Sequence, residues 1–250
     1  MTFLLQTNNH EMKTELFLWR DLLEESTCPH DIAECSYEDL PDYIATHDAT
    51  QLVPMGSIAF TNLFFKLAYN IEKMNPVEIP PCLREPKWIG RDYRIVYKED
   101  VPQEGYYFLK DASSFKEMSY MGFLQALNRR EIKEGRPYVV SKPLEVQAEY
   151  RVYFLRGEVY AIEYYNGNPL CFPDRNTIMN ANMRYAREKD YPKSYTMDVM
   201  VTRDGTFLTE IHPVLFSCGL YTTVLGTDFL NGYIDGLHYI LRHNTPVSTT

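Results

Sequence analysis

"SYTMDVMVTRDGTFLTEIHP", residues 194–213, is the stretch on which the reading of this chain turns. Alternation sets Met197, Val199 and Val201 on one face of a strand and Asp198, Met200 and Thr202 on the other. Arg203-Asp204-Gly205 suits a three-residue hairpin loop, a type I turn whose closing glycine takes positive φ at little steric cost. In that register Thr202 faces Thr206 and Asp198 faces Glu210, so two carboxylates share a face with Cβ atoms roughly 4.5–5.5 Å apart. A two-residue Asp204-Gly205 loop would instead set Asp198 against Ile211. Carboxylates that close repel unless a cation or a proton lies between them. Oxygen ligands without thiolates suit magnesium, which takes one or two carboxylates plus substrate phosphates. His212 follows Glu210 on the same face. A solvated acidic hairpin is the competing reading, and the rest of the chain has to decide between them.

The chain has 250 residues, 45% hydrophobic and 24% charged, enough for one large or two modest domains with a sizeable core. No apolar run approaches the roughly 20 residues that span a bilayer, and MTFLLQTNNHEMK has too short an apolar stretch for a signal peptide, so a cytoplasmic protein without a membrane partner is expected. Five cysteines (Cys28, Cys35, Cys82, Cys171, Cys218) form no CxxC pair and no zinc spacing, which implies reduced thiols. A net charge of −9 gives no long-range attraction to nucleic acid, which is not expected as a partner.

Residues 2–6 read as a strand and 13–25 as a helix with Leu16, Trp19, Leu22 and Leu23 on one side. Leu52-Val53-Pro54 ends a second strand, and Gly56-Ser57 opens the helix IAFTNLFFKLAYNIEK, with Leu63, Phe64 and Leu67 in its stripe. Strands alternating with helices imply a small, partly parallel α/β unit over residues 1–75. The proline-rich residues 74–86 read as a linker. Beyond them strands dominate, at 94–97, 106–110, 138–141, 149–155 and 158–165, before the opening hairpin. Helices are expected at 117–129, 180–188 and 227–242, the last capped by Thr227. The whole reads as α+β.

No GxxxxGK[ST], GxGxxG, HExxH or GxSxG occurs. What remains are charges at strand ends. In YYFLKDASSFK, Lys110 closes an apolar strand, a small polar loop follows, and Lys116 comes after it. A lysine so held can contact nucleotide phosphates, or can simply mark a strand end. In QAEYRVYF, Glu149, Arg151 and Tyr153 share a face, and Arg151 is either half of a surface ion pair or a fixed fork for a phosphoryl group.

In this order FLKDASSFK, PYVVSKPLEV, EYRVYF with EVYAIEYY, and the late D…E-x-H hairpin resemble the ATP-grasp superfamily, and more narrowly its clade named for two arginines and a lysine. The resemblance covers about residues 87–215, and VPMGSIAF is similar to that clade's front domain. It implies an ATP-grasp domain over 76–250 behind the α/β unit, two α+β subdomains clasping a nucleotide with a hinge near 140–144. It further implies an ATP- and Mg2+-dependent ligase, in which ATP converts a carboxylate to an acylphosphate that an amine attacks. Carried over, Lys110 contacts phosphates, residues 140–144 (Val140, Ser141, Lys142, Leu144) meet adenine through backbone, and Glu149 takes the ribose. Arg151 holds the γ-phosphate, Asp198 and Glu210 bind magnesium, and Arg91 is the second arginine, with Arg94 competing. Arg175, Arg184 and Arg187, between the arginine strand and the metal hairpin, are candidates for an anionic carboxylate substrate or are solvated helix residues. The carboxylate and amine themselves are small molecules, peptides or proteins.

The superfamily usually carries asparagine where this chain has His212, counted here with Asp198 and Glu210 as a metal residue; its imidazole can ligate a metal or hydrogen-bond a phosphate but suits magnesium less well than an amide oxygen, and the phosphate loop is poor in glycine. A nucleotide-binding regulatory module without turnover, or a kinase on the same fold, is therefore the alternative. Glycoside hydrolysis by the paired carboxylates would leave Lys110 and Arg151 without a role.

Overall fold

The computed structural model describes residues 1–7, 13–25, 30–72, 79–113, 117–217 and 226–244, with the backbone alone for 13–18, 217 and 227. Cys28, Ser114, Lys116, Cys218, the side chains of Leu16 and Thr227 and the first five residues of the expected linker, 74–78, lie outside these.

The front of the chain forms β1 (Thr2–Thr7), α1 (Lys13–Glu25), β2 (Asp31–Ser36), α2 (Leu40–Thr46), β3 (Leu52–Met55) and α3 (Ile58–Tyr69). The strands make a parallel sheet ordered β2-β1-β3. The sequence reading missed β2 and α2. The first residues of β2 are exposed, so no apolar alternation marks it, and α2 has only seven residues. Ser57 caps α3, its Oγ accepting from the Phe60 N–H at 3.1 Å. Phe64 is buried as expected, but Leu67 is 40% exposed, because the buried stripe runs through Phe60, Phe64 and Phe65.

A short helix, α4 (Pro86–Ile89), leads into β4 (Tyr93–Val96), β5 (Tyr106–Asp111), β6 (Ser119–Phe123) and β7 (Tyr138–Ser141), an antiparallel sheet ordered β4-β7-β5-β6. Leu109, Leu124, Ile132, Tyr138 and Val140 fill its own small core. The helix expected at 117–129 is not there. Residues 119–123 pair with β5 in continuous register, and tertiary pairing overrides local helical preference.

The third sheet consists of β8 (Ala148–Leu155), β9 (Glu158–Gly167), β10 (Tyr195–Thr202) and β11 (Gly205–His212), antiparallel and ordered β11-β10-β8-β9. Between β9 and β10 lies α5 (Arg175–Tyr185), and α6 (Thr227–Asn244) follows the hairpin. The former starts five residues earlier than expected because Asp174 caps it, accepting from the N–H groups of Asn176 and Thr177. On one face Val152, Phe154, Met197 and Val199 pack against α4 and α5, each fully buried large side chain contributing roughly 1.5–3 kcal/mol. The other face is divided along its length. Tyr153 and Leu155 join the core of the front unit together with Phe229 and Tyr233 of α6. Glu149, Arg151 and Asp198 occupy the remaining part, opposite the second sheet.

The hairpin carries a correction. Its strands pair as far as Thr202 with Gly205, so the loop is Arg203-Asp204, and Gly205, at φ +138, already lies in β11. This moves the outer register by one residue. A bulge takes up the difference: Val199 pairs with Leu208 but Asp198 with Glu210, leaving Thr209 as the extra residue. Asp198 and Glu210 face each other as expected, while Leu208 turns to the α5 side, where Ile211 also packs.

Candidate functional site

β8 and β10 are paired so that Arg151 stands directly across from Asp198. The guanidinium donates from Nε to Oδ1 and from Nη2 to Oδ2, both at 2.7 Å, a two-pronged bond with both side chains about 95% buried. Burial is the largest influence on the Asp198 carboxyl and raises its pKa, but the hydrogen bonds and charges of Arg151 and His212 outweigh it and hold the group below the ordinary carboxylate range.

β11 brings Glu210 beside this pair. Its Oε2 accepts from Lys110 Nζ at 2.8 Å, an ion pair that crosses from the third sheet to the second. His212, fully buried, places Nε2 at 3.4 Å from Glu210 Oε1 and 3.8 Å from Asp198 Oδ2. One ligand atom from each of Asp198, Glu210 and His212 lies within 4.8 Å of the others. Two carboxylates and an imidazole at that spacing are a donor set for a divalent cation. In this state the positive charges of Arg151 and Lys110 neutralise the carboxylates.

Above the cluster, between the two antiparallel sheets, lies a cleft of about 460 Å³, a size suited to a small organic ligand. Lys110, Phe108 and Ser141 line it from the second sheet, and Glu149, Met200 and Glu210 from the third. Lys142, Leu144 and Arg91 also border it. Arg91 is largely buried, its Nη1 3.5 Å from Met200 Sδ and its guanidinium 6.0 Å from the Phe108 ring. Loss of hydration lowers its pKa, partly countered by Tyr93 and Glu149. Arg94 points away from the cleft and pairs with Asp92 at 3.3 Å, so Arg91 is the arginine that the fold brings to the site.

Four expectations change. Val140 lies in the central strand β7 between Arg94 and Leu109, so its backbone is taken up within the sheet and its side chain enters the sheet's core, while Val139 and Ser141 take the cleft side. Arg175 and Arg184 do not reach the cleft, because α5 packs on the opposite face of the third sheet, where Arg184 pairs with Glu188 at 2.6 Å. Arg187, just beyond α5, lies behind the same sheet and is exposed. Arg151 and Asp198 lie beneath the lining of the cleft, bound to each other, and are not presented to it directly.

Asn166 and Tyr165 are among the lining residues that escaped the sequence reading. Between β8 and β9 a register shift sets Glu149 opposite Asn166 while Tyr150 faces Tyr164, so Asn166 comes to the cleft and donates to Glu149 Oε2 at 2.6 Å. Tyr165, beside it, has its hydroxyl pKa raised, first by burial and then by Asp198 and Glu149. The signal was Gly167. It has φ +93, and a Cβ there would meet Gln147 O at 2.3 Å, so it marks the crowded end of β9.

Two antiparallel sheets closing on a cleft with basic and acidic groups at one end define an ATP-grasp fold. The model of an ATP-grasp domain family, the second family of the clade named for two arginines and a lysine, matches residues 89–224, more than half of the chain, and the chain belongs to that family. Solved structures with the same fold include D-alanine–D-alanine ligase from Bacillus anthracis complexed with ATP (11% identity, 96% of this chain and 95% of that one, TM-score 0.53). The ATP-grasp ligase PsnB complexed with minimal precursor is similar at 10% identity (95% and 99% covered, TM-score 0.53). D-cycloserine synthetase DcsG is similar at 9% identity (94% and 99% covered, TM-score 0.57). No curated protein sequence matches the chain. Among the described residues no helix is long and apolar enough to cross a membrane.

Proposed function

We propose that the protein is an ATP- and Mg2+-dependent carboxylate–amine ligase that forms ADP. The observation that carries this reading is the meeting of Lys110 from one sheet with Glu210, Asp198 and His212 from the other, at the end of a cleft sized for a nucleotide.

In this reading residues 141–144 and Glu149 hold the nucleoside, with Asn166 fixing the Glu149 carboxylate. Lys110 and Arg91 approach the phosphates, and transfer needs little beyond alignment and charge neutralisation. A carboxylate oxygen attacks the γ-phosphorus as the bond to the ADP oxygen breaks. An amine nitrogen then attacks the acyl carbon, phosphate leaves, and the amine proton passes to solvent or to the departing phosphate. Asp198 and Glu210 would hold magnesium, which when bound supplies charge neutralisation between the phosphates. An incoming γ-phosphate competes with Asp198 for the Arg151 fork, so seating the nucleotide frees the carboxylate that the cation requires.

A second reading, a nucleotide-sensing module without turnover, draws on the closed Arg151–Asp198 pair and on His212. The two are separated by incubating the protein with Mg2+, ATP and panels of carboxylates and amines. ADP with free phosphate only when acid and amine are both present supports the ligase, whereas AMP with pyrophosphate argues against it. ADP without free phosphate indicates a kinase, and saturable nucleotide binding with no product under any mixture indicates the sensor.

A further inference from the structure

Nε2 of His212 is surrounded in an unusual way. Two acceptors face it, Glu210 Oε1 at 3.4 Å and Asp198 Oδ2 at 3.8 Å, and so does a group that can only donate, Arg151 Nη2 at 3.5 Å. A protonated Nε2 suits the carboxylates and opposes the guanidinium; an unprotonated one does the reverse. A divalent cation resolves the conflict, since the imidazole lone pair and both carboxylates can bind it together once Arg151 has turned to a phosphate. A second observation lies beside the cluster. Thr196, directly across from His212 and on the same face as Asp198, is wholly buried, and its hydroxyl has no hydrogen-bond partner among the described residues. A hydroxyl there can hydrogen-bond a water carried in on a metal or orient the imidazole behind it.

Nitrogen ligation also selects among cations. Magnesium strongly prefers oxygen, whereas first-row divalent ions accept imidazole readily. We infer that His212 is a nitrogen ligand that shifts this metal site from magnesium toward a first-row divalent ion, with manganese, which tolerates both carboxylate and imidazole, as the representative case. The inference rests on the proposed function in that a nucleotide phosphate draws Arg151 from Asp198 and completes the donor set; Glu210 and His212 face each other without it.

The test uses Mn2+ on the full-length chain, alone and with the β,γ-imido analogue of ATP, read by electron paramagnetic resonance with Mg2+ as competitor. Expected are nitrogen hyperfine coupling on bound Mn2+ in the parent, its loss in His212→Asn, and a Mn2+/Mg2+ affinity ratio that falls at least about tenfold, the cost carried even by a partner behind a metal ligand. Bound Mn2+ without nitrogen coupling overturns the inference and leaves the ligase reading intact, and no bound Mn2+ in either sample also overturns it. Coupling with Mn2+ alone, in a protein that fails to bind the nucleotide analogue, sustains the inference and removes the ligase reading. The coupling is read on the parent alone, so the answer does not depend on the variant folding.

Discussion

Asp198→Asn removes the charge from one side of a pair whose members are 6% and 5% exposed and joined by two 2.7 Å bonds. The asparagine is nearly isosteric, so the cost is electrostatic: a buried guanidinium loses its counter-charge, and its fork then faces an amide that offers one acceptor and two clashing hydrogens. Removing one member of a buried pair costs roughly 3–5 kcal/mol. For a chain of this size each kcal/mol moves the midpoint by about 2–4 °C, so the melting temperature should fall by roughly 6–20 °C. The assay is urea unfolding by intrinsic fluorescence with a thermal melt by circular dichroism, both at pH 7 without nucleotide. A companion variant makes the test specific. Arg151→Met with Asp198→Leu removes both charges and fills the space, and should be near the parent or up to about 4 kcal/mol more stable. A loss below about 1 kcal/mol in Asp198→Asn, the worth of an exposed pair, would refute the claim that these groups are buried together.

Asp174→Ala should lower stability by about 0.5–2 kcal/mol through loss of the α5 cap, measured by urea unfolding. Hydrogen bonds from Thr177 hold the Asp174 carboxyl below its ordinary value, so the cap contributes fully above the unfolded value, about 3.9, and is lost as pH falls through the lower folded one. The parent–variant difference should therefore shrink in that acid window. Gly167→Ala, with backbone atoms 2.3 and 2.8 Å from the added Cβ, should cost roughly 2–4 kcal/mol, and because it shifts Asn166 it should also weaken nucleotide binding by calorimetry. Arg175→Ala and Arg184→Ala should leave nucleotide affinity and product formation at the parent level, and a marked loss in either would contradict their placement behind the sheet.

Most strands were legible as short runs rich in β-branched and aromatic residues, although β8 and β10 turn out to be buried on both faces. Polar and apolar residues alternate along β10, and the pairing of Asp198 with Glu210 was reached through a three-residue loop that the structure replaces by a two-residue loop and a bulge. The turn was not legible, since a loop of two or three residues fits Arg203-Asp204-Gly205 equally well and local chemistry does not reveal a compensating bulge. One cue was present in the three-residue spacing of Leu208 and Ile211, which breaks strict alternation and places an extra residue between two buried apolar positions. The site was legible as residue types in order, but its internal pairing was not. That Arg151 lies against Asp198, and not against the flanking Glu149, depends on which strand runs beside β8, and sequence alone does not fix strand order. The same is true of α5, whose arginines lie near the site in sequence and behind it in space.

The distribution of cores has a mechanical consequence. Tyr153 and Leu155 fasten the strand that carries Arg151 to the front unit, with the Tyr153 and Phe229 rings 5.7 Å apart, so separating those two bodies would expose a large apolar surface. β4–β7 enclose a core of their own and meet the third sheet through Lys110 on Glu210, Arg91 beside Met200 and the partly buried Tyr93 against that sheet's core. Water can replace an ion pair far more cheaply than it can wet a core. Widening the cleft would therefore cost chiefly the Lys110–Glu210 ion pair and the contact of Tyr93, whereas parting the third sheet from the front unit would open a shared core.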